Sequence, residues 1–146
     1  MTTRKKRPES IVQLYARALS LQKEGNAAKA VKLWVQCAQR DHGPSLFQLA
    51  MAHKKGAEVK KDDRKALQLL QQAAEKNVAH AIYELAQAHY LGQMGKRDYK
   101  KIYSLYVKAA QQTHAEATYM VGFCHAKGLG VKKSNTRAFE FFSKGL

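Results

Sequence analysis

The fold is decided by the stretch Lys65-Ala66-Leu67-Gln68-Leu69-Leu70-Gln71-Gln72-Ala73-Ala74, because its pattern recurs at a fixed distance upstream and downstream. The recurrences are Lys29-Ala30-Val31-Lys32-Leu33-Trp34, Lys101-Ile102-Tyr103-Ser104-Leu105-Tyr106 and Arg137-Ala138-Phe139-Glu140-Phe141-Phe142. Their anchor residues Ala30, Ala66, Ile102 and Ala138 are spaced 36 residues apart. A period of this size is typical of a stacked array of helix pairs.

Capping and packing positions repeat with the same period. Candidate N-caps stand 36 residues apart at Asn26, Asp62, Asp98 and Ser134, and each side chain could accept a bond from a free N–H group of the following helix. The first helices of the later repeats align at Phe47, Tyr83 and Tyr119, at Leu49, Leu85 and Val121, and at Ala50, Ala86 and Gly122. Small residues at such positions let neighbouring helices approach closely.

Apolar residues at helical spacing predict four helix pairs. The predicted helices run near 10–23 and 27–41, 43–54 and 63–76, 79–91 and 99–112, and 115–127 and 135–146. We therefore expect an all-α solenoid with repeats at about 10–41, 42–77, 78–113 and 114–146. These repeats form one domain, which follows a basic flexible tail at residues 1–9.

Composition limits the class of partner. The chain has 146 residues and a formal net charge of +15, which attracts acidic proteins, nucleic acids or anionic membrane surfaces without choosing among them. Cys37 and Cys124 stand at apolar helix positions far apart in an array, which favours a reduced compartment over a disulfide framework. No apolar run approaches twenty residues and no secretory signal is visible. We expect an intracellular protein, in the cytoplasm, with nucleus or organelle left open.

The later repeats carry a motif that resembles a known family. It reads Ala117-Thr118-Tyr119-Met120-Val121-Gly122 followed by Gly128-Leu129-Gly130-Val131-Lys132-Lys133-Ser134, with a close copy in the third repeat. This is similar to the Sel1-like repeat, a relative of the tetratricopeptide repeat, whereas the shorter first repeat resembles a plain tetratricopeptide unit. The resemblance implies a right-handed superhelix of antiparallel helix pairs that acts as a non-enzymatic adaptor without a cofactor.

The resemblance also implies a concave groove lined by first helices. By the tetratricopeptide layout its partner-facing positions are Met51, Lys54, Lys55, Gln87, Tyr90, Leu91, Phe123, Ala126 and Lys127. Apolar side chains at such sites suit a peptide or a helix laid in the groove. Some of them could instead pack between repeats.

Basic loops form the second candidate surface. Lys60-Lys61, Lys96-Arg97 and Lys132-Lys133 stand one period apart and would form a basic edge when stacked. Such an edge would steer an acidic partner and make binding sensitive to salt. The alternative is that the repeat motif itself places about half of these lysines.

The last predicted helix ends in an apolar face. Phe139, Phe142 and Leu146 would share it, and repeat arrays need a polar cap for solubility. A neighbouring chain or a second copy could cover this open edge by stacking. A shortened chain would explain it equally.

Chemistry at a catalytic or metal site is not predicted. His53, His89 and His125 are equivalent residues of successive repeats, so they would lie roughly 8–10 Å apart. Zinc ligands instead converge within about 2 Å of one ion, so we interpret these histidines as structural. Neither cysteine has a partner at a catalytic spacing, and no phosphate-binding loop is present.

The sequence is compatible with two functions from different classes. The leading one is an adaptor that holds a protein in its groove while the basic edge engages an acidic surface. The alternative is an RNA-associated component of a ribosomal or other ribonucleoprotein assembly. Non-specific binding of single strands combines basic residues with stacking aromatics. Because the loops carry little aromatic besides Tyr99, the adaptor is favoured.

Overall fold

Eight α-helices form the fold in the computed structural model, which describes residues 7 and 9–144. In chain order they are α1 Ile11–Lys23, α2 Ala27–Gln39, α3 Gly43–Lys55, α4 Asp63–Glu75, α5 Ala79–Tyr90, α6 Tyr99–Ala110, α7 Ala115–Lys127 and α8 Asn135–Lys144. Each helix packs chiefly against its neighbours in sequence, as stacked pairs do. The predicted all-α solenoid is confirmed, and helix ends within the described residues fall within two residues of expectation. Most of the predicted tail and Leu146 lie outside the described residues.

Three of the four predicted caps are present. The side chains of Asp62, Asp98 and Ser134 accept hydrogen bonds from the backbone N–H groups of Lys65, Lys101 and Arg137 at 3.0, 3.3 and 3.1 Å. Each bond satisfies one of the N–H groups that a helix start leaves without a partner.

The predicted cap at Asn26 is wrong. Its side chain makes no capping bond, and its backbone (φ −98°, ψ 63°) is not extended. The link between α1 and α2 is short, and Gly25 turns the chain with φ +80° so that the Asn26 N–H donates back to the Leu21 carbonyl at 2.8 Å. A capping side chain reaches the third N–H of its helix from an extended backbone, which Asn26 does not have.

Recurring small and apolar positions build the core. Ala30, Ala66, Ile102 and Ala138, the anchors of the period, are all buried. One large cluster contains Trp34 and extends from the first repeat to Ala117 of the fourth, and a second surrounds the fully buried Tyr106 between the third and fourth repeats. The core thus runs along the array and holds the first helices of successive repeats in register.

Candidate partner-binding surfaces

The predicted groove residues lie on the first helices of three successive repeats or at their ends. Met51, Lys54 and Lys55 belong to α3, Gln87 and Tyr90 to α5, and Phe123, Ala126 and Lys127 to α7, while Leu91 directly follows α5. The lysines are exposed, and Leu91 is 60% exposed. The remaining groove residues are half-buried. The surface therefore combines a partly apolar floor with basic side chains.

Two crevices open along this surface at equivalent places. The first, about 140 Å³, lies between α2 and α3, and its lining includes Val31, Trp34, Met51 and Lys55. The second, about 230 Å³, lies between α4 and α5, and its lining includes Leu67, Leu70, Gln87 and Leu91. Each of these four residues stands 36 positions after its counterpart in the first crevice. The repeat thus produces two notches one period apart, each lined by both apolar and polar side chains.

The amide of Gln87 is held from within the protein. The Tyr106 hydroxyl donates to Gln87 Oε1, and Gln87 Nε2 donates to the Tyr83 hydroxyl at 3.0 Å. Burial, followed by nearby ionisable groups that include Tyr83, raises the pKa of Tyr106 well above its usual value. The phenol therefore remains protonated and able to donate, and Gln87 shapes the notch with its amide already engaged.

An ion pair joins the first helices of two successive repeats. Lys54 Nζ lies 2.9 Å from Glu84 Oε2 and joins α3 to α5. The Lys54 side chain is 48% exposed and that of Glu84 is 21% exposed, so a partner carboxylate could reach the lysine. Further along, the rings of Tyr90 and Phe123 meet edge to face with centroids 6.2 Å apart.

Loops of matching shape carry two of the three basic pairs. Gly56 and Gly128 end α3 and α7 in the left-handed conformation, with φ of +70° and +71°. At the far end of each loop, Asp62 N–H donates to the His53 carbonyl at 3.0 Å and Ser134 N–H to the His125 carbonyl at 2.9 Å. These bonds give the loops that carry Lys60-Lys61 and Lys132-Lys133 equivalent anchoring. All four lysines are exposed.

The loop between α5 and α6, which carries Lys96-Arg97, is held by different contacts. It contains two left-handed glycines, Gly92 and Gly95, and Arg97 Nε donates to the Tyr90 carbonyl at 2.7 Å. Arg97 therefore helps to close the end of α5, while Lys96 stays exposed. Beside them a shallow basin of about 540 Å³ contains Tyr99, which is 38% exposed, and Lys100.

The predicted open edge divides into two parts. Phe142 is half-buried, because its ring packs against Tyr119 of the same repeat at a centroid distance of 5.0 Å and covers Gly122. Phe139 instead is 72% exposed. This differs from the expectation of a shared apolar face, because Phe142 occupies the position that Trp34, Leu70 and Tyr106 fill in the cores of the earlier repeats.

A third crevice was not anticipated. It has a volume of about 470 Å³ and lies among α6, α7 and α8, with Tyr103, Val107, Thr118, Val121 and Phe141 in its lining. The signal is in the repeat itself: Leu46 and Ile82 are followed by Thr118, and Leu49 and Leu85 by Val121. Two positions therefore lose side-chain volume in the last repeat.

The recurring histidines make structural contacts. His53 Nδ1 lies 3.1 Å from the Lys60 carbonyl oxygen, and the Tyr103 hydroxyl lies 3.1 Å from His125 Nε2. Residues 7 and 9–144 contain no group of three or more His, Cys, Asp or Glu arranged to hold a metal ion. Cys37 and Cys124 are buried free thiols, and burial raises the pKa of Cys124 to about 11, which keeps it protonated. Over the described stretch, no helix is long and apolar enough to cross a membrane.

Stacked helix pairs with periodic caps and notches define a repeat protein of the α-solenoid class. The Sel1 repeat model matches residues 43–78, 79–114 and 115–145, so the chain belongs to the Sel1 repeat family. Proteins with Sel1 repeats generally mediate protein–protein interactions, and the fold is typically a non-enzymatic scaffold. No curated protein sequence matches the chain.

Solved structures share this fold. A Sel1 repeat protein from Oxalobacter formigenes superposes with a TM-score of 0.83 at 23% identity, covering 93% of this chain and 57% of that one. The antigen c5321 of uropathogenic Escherichia coli, which has an SLR fold, superposes with a TM-score of 0.79 at 23% identity, covering 93% of this chain and 30% of that one. Cysteine-rich protein B of Helicobacter pylori superposes with a TM-score of 0.61 at 22% identity, covering 83% of this chain and 90% of that one. The chain thus spans little more than half of the first structure's length and under a third of the second's.

Proposed function

We propose that this protein is a non-enzymatic adaptor that holds an extended acidic segment of a protein partner along the groove, with the basic edge engaging further acidic residues. The observation that carries the proposal is the pair of equivalent crevices, the first lined by Met51 and Lys55 among others and the second by Leu91, Lys54 and Lys61 among others. Specific peptide recognition commonly places side chains in such pockets while the backbone runs across them.

The spacing of the crevices sets the spacing of the ligand's side chains. Packed helices lie about 8–10 Å apart, and an extended peptide rises about 3.3 Å per residue. The two crevices lie one repeat apart, so every third position is the shortest spacing of apolar residues that could reach both of them. Acidic residues between them would meet Lys54, Lys55 and Lys127, which are exposed.

Charge supports an acidic ligand over a neutral one. The formal net charge of +15 would raise the rate of encounter with an acidic segment. Lys54 already pairs with Glu84, so a ligand carboxylate would compete with Glu84 for this lysine, whereas Lys55 and Lys127 are exposed. Exposed ion pairs contribute only about 0–1 kcal/mol each, so apolar anchoring in the notches has to supply most of the affinity.

The test is a fluorescence anisotropy titration with a labelled 12-residue peptide that carries Leu at every third position among Asp and Glu. A control peptide has the same composition with its leucines adjacent. We expect the spaced peptide to bind at least tenfold more tightly, and a Met51→Ser, Leu91→Ser variant to lose that preference. Equal binding of the two peptides would contradict the groove proposal.

A matched pair of variants tests the basic edge. Changing Lys60, Lys61, Lys132 and Lys133 to Ser should lower both the affinity at low salt and its dependence on salt. The control changes four exposed lysines elsewhere, namely Lys23, Lys29, Lys32 and Lys108. If both variants lose affinity equally, net charge acts rather than the edge.

RNA binding is the second candidate, and the basin beside Tyr99 favours it. An exposed aromatic ring with Lys96, Arg97 and Lys100 around it could stack a base and hold its phosphates. Successive bases require successive aromatic rings, however, and this basin has one, so the adaptor is preferred. Titration of a 20-nucleotide oligouridine in parallel distinguishes the two functions. If the oligouridine binds more tightly than the spaced peptide and Tyr99→Ser weakens that binding, the RNA-associated role replaces the adaptor.

A further inference from the structure

The crevice among α6, α7 and α8 is open because of side chains that belong to the fourth repeat. Thr118 and Val121 line it, whereas Ile82 and Leu85 stand at the aligned positions of the third repeat. Ile82 is 1% exposed, but the smaller Thr118 is half-buried. The space therefore lies between two described repeats, and it results from smaller side chains rather than from the position of a chain end.

The size of this crevice suits a small molecule. Its volume of about 470 Å³ falls within the roughly 300–1,000 Å³ that is usual for sites of small ligands. Such sites combine mostly apolar walls with a few polar groups that orient the ligand. The crevice has walls of this kind, with Val107, Val121 and Phe141 among the apolar residues and Gln111 and Lys144 among the polar ones.

Two aromatic rings of the lining are fixed by one buried histidine. Phe141 stacks on His125 with the ring planes 7° apart and the centroids 5.5 Å apart. Tyr103 meets the same histidine edge to face at 5.5 Å, and its hydroxyl lies 3.1 Å from His125 Nε2. These walls are therefore formed before a ligand arrives, which lowers the cost of binding. A ligand ring could stack on them or meet them edge to face.

The polar lining residues gather at one end of the crevice. Gln111 and Thr113 lie just after α6, and Lys144 is the last residue of α8. As second helices of successive repeats, α6 and α8 run in the same direction, so their C-terminal ends lie side by side. Tyr103, near the start of α6, lies towards the other end. The crevice is thus apolar at one end and polar at the other.

Lys144 gives the polar end a positive charge. Its Nζ lies 5.2 Å from the centre of the Phe141 ring, and the side chain is exposed. Among the described residues that line the crevice there is no Asp or Glu, and Glu140 of the same helix lies 3.9 Å from Arg137 Nη1. An anionic group attached to an aromatic ring would therefore meet a cation and an aromatic wall together.

We propose that this crevice binds a small aromatic carboxylate. The ring lies against Phe141, Tyr103 and Val121, and the carboxylate lies beside Lys144 at the polar end. A rigid ring is favoured over a flexible aliphatic acid, because it loses less conformational entropy on binding. The lining shares no residue with the predicted groove or the basic edge, so this inference does not rest on the adaptor proposal.

The probe is 2-naphthoate, and its matched control is 2-naphthamide, which keeps the ring and lacks the charge. We expect isothermal titration calorimetry with the full chain at low salt to show one naphthoate bound per chain, about threefold more tightly than the amide, as one exposed ion pair allows. Octanoate should bind at least threefold more weakly than naphthoate. No binding of naphthoate below about 1 mM, equal binding of the amide, or tighter binding of octanoate would each overturn the proposal.

A matched pair of lysine variants locates the carboxylate. Lys144→Met should abolish the preference for naphthoate over naphthamide. Lys108 is the exposed residue aligned with Lys144 one period earlier, and it does not line the crevice, so Lys108→Met should keep the preference. If the two variants lose it equally, net charge acts and the assignment to Lys144 is overturned.

A second pair of variants locates the ring. Thr118→Ile adds volume inside the crevice and should weaken naphthoate and naphthamide alike, at least threefold. Thr136→Ile changes an exposed threonine of α8 that lies outside the lining, and it should leave both affinities unchanged. Unchanged binding to a folded Thr118→Ile variant, with its thermal midpoint at or above that of the wild type, would show that the ligand binds elsewhere.

A peptide end could present the same chemistry, since a C-terminal phenylalanine carries a ring beside a carboxylate. Acetyl-Gly-Gly-Phe with a free carboxylate tests this source in the same titration. The proposal requires that it bind no more tightly than naphthoate. Binding at least tenfold tighter, and weakened by Lys144→Met, would assign the crevice to the end of a protein chain and overturn the assignment to a small molecule.

Discussion

Gly122 and Phe142 form a complementary pair: a Cβ built on Gly122 would lie 2.8 Å from Cδ1 of the Phe142 ring. Earlier repeats place Ala50 and Ala86 at the glycine's position, and both are completely buried. The fourth repeat thus pairs glycine with Phe142, whereas the second and third repeats pair alanine with Leu70 and Tyr106 at the aligned positions. Phe142 turns inward as its aligned residues Leu70 and Tyr106 do, whereas Phe139 is exposed.

Gly122→Ala should therefore destabilise the protein although alanine is the better helix former. The helix propensity gained is about 1 kcal/mol, whereas overpacking a filled site costs about 1–3 kcal/mol. We expect a net loss of about 1 kcal/mol in the free energy of unfolding, measured by urea denaturation. In Gly122→Ala, Phe142→Leu the clash is removed, so the double variant should be more stable than the sum of the single effects predicts. Simple additivity would show that the two residues are not coupled.

Gly130, in the loop between α7 and α8, lies against the backbone at the start of α6. It has φ +70°, and a Cβ at this position would lie 2.0 Å from the Tyr99 carbonyl oxygen. Gly130→Ala should cost at least about 3 kcal/mol, because left-handed strain of about 1–2 kcal/mol adds to the displacement of backbone. Gly25→Ala is the control, since Gly25 has φ +80° but nothing within 4 Å of the added Cβ. It should cost about 1–2 kcal/mol, and equal losses in thermal unfolding would disprove the contact with Tyr99.

The period predicted the architecture because helix spacing, capping and small packing positions are all local in sequence. Asp62, Asp98 and Ser134 illustrate this, since each caps a helix that begins at the next residue. The prediction of a cap at Asn26 failed because the shorter link between α1 and α2 gives this residue a different backbone conformation. The preference of its side chain for caps does not reveal that. The crevice beside Thr118 was readable in principle, as a loss of volume at aligned positions, but it needed the repeats to be compared residue by residue.

The sequence could not predict which side chains contact one another between helices. Lys54 meets Glu84 and Gln87 meets Tyr106 because the helices stack at a particular rotation and offset. Many lysines and acids could have met at other offsets. The helices and loops that carry the predicted groove and basic-edge residues could therefore be read from the sequence, whereas the internal partners of their side chains could not.

His114 makes stability depend on pH. Its Nδ1 accepts the Ala117 N–H at 3.2 Å at the start of α7, so the proton of the neutral ring is on Nε2, which donates to His80 Nδ1 at 2.9 Å. Burial, and then His80, lowers the pKa of His114 below its ordinary value of 6.5, while Glu116 and Glu84 oppose the shift. Protonation would remove the lone pair that caps the helix.

The sign of the effect follows from proton binding. Below pH 6.5 the unfolded chain binds a proton at this histidine that the folded protein resists, so stability is complete above that pH and falls as the pH decreases. Burial lowers the pKa of His42, His89 and His125 in the same direction. His114→Asn keeps a capping acceptor without the titration. Its urea midpoint should fall less steeply between about pH 7 and pH 5, and an unchanged slope would contradict the role of His114.

Filling the crevice beside Thr118 should stabilise the protein. Ile82 occupies the equivalent position of the third repeat and is 1% exposed. The Thr118 hydroxyl donates to the His114 carbonyl at 3.0 Å, but that oxygen also accepts the Thr118 N–H at 3.0 Å, so removing the hydroxyl leaves no buried acceptor without a partner. Thr118→Val isolates this loss, and Thr118→Ile adds one further methylene, which contributes about 0.8 kcal/mol when buried. The isoleucine variant should therefore exceed the valine variant by about 0.5–1 kcal/mol in urea unfolding. If the two are equally stable, the added group remains in water and the crevice is not a packing defect.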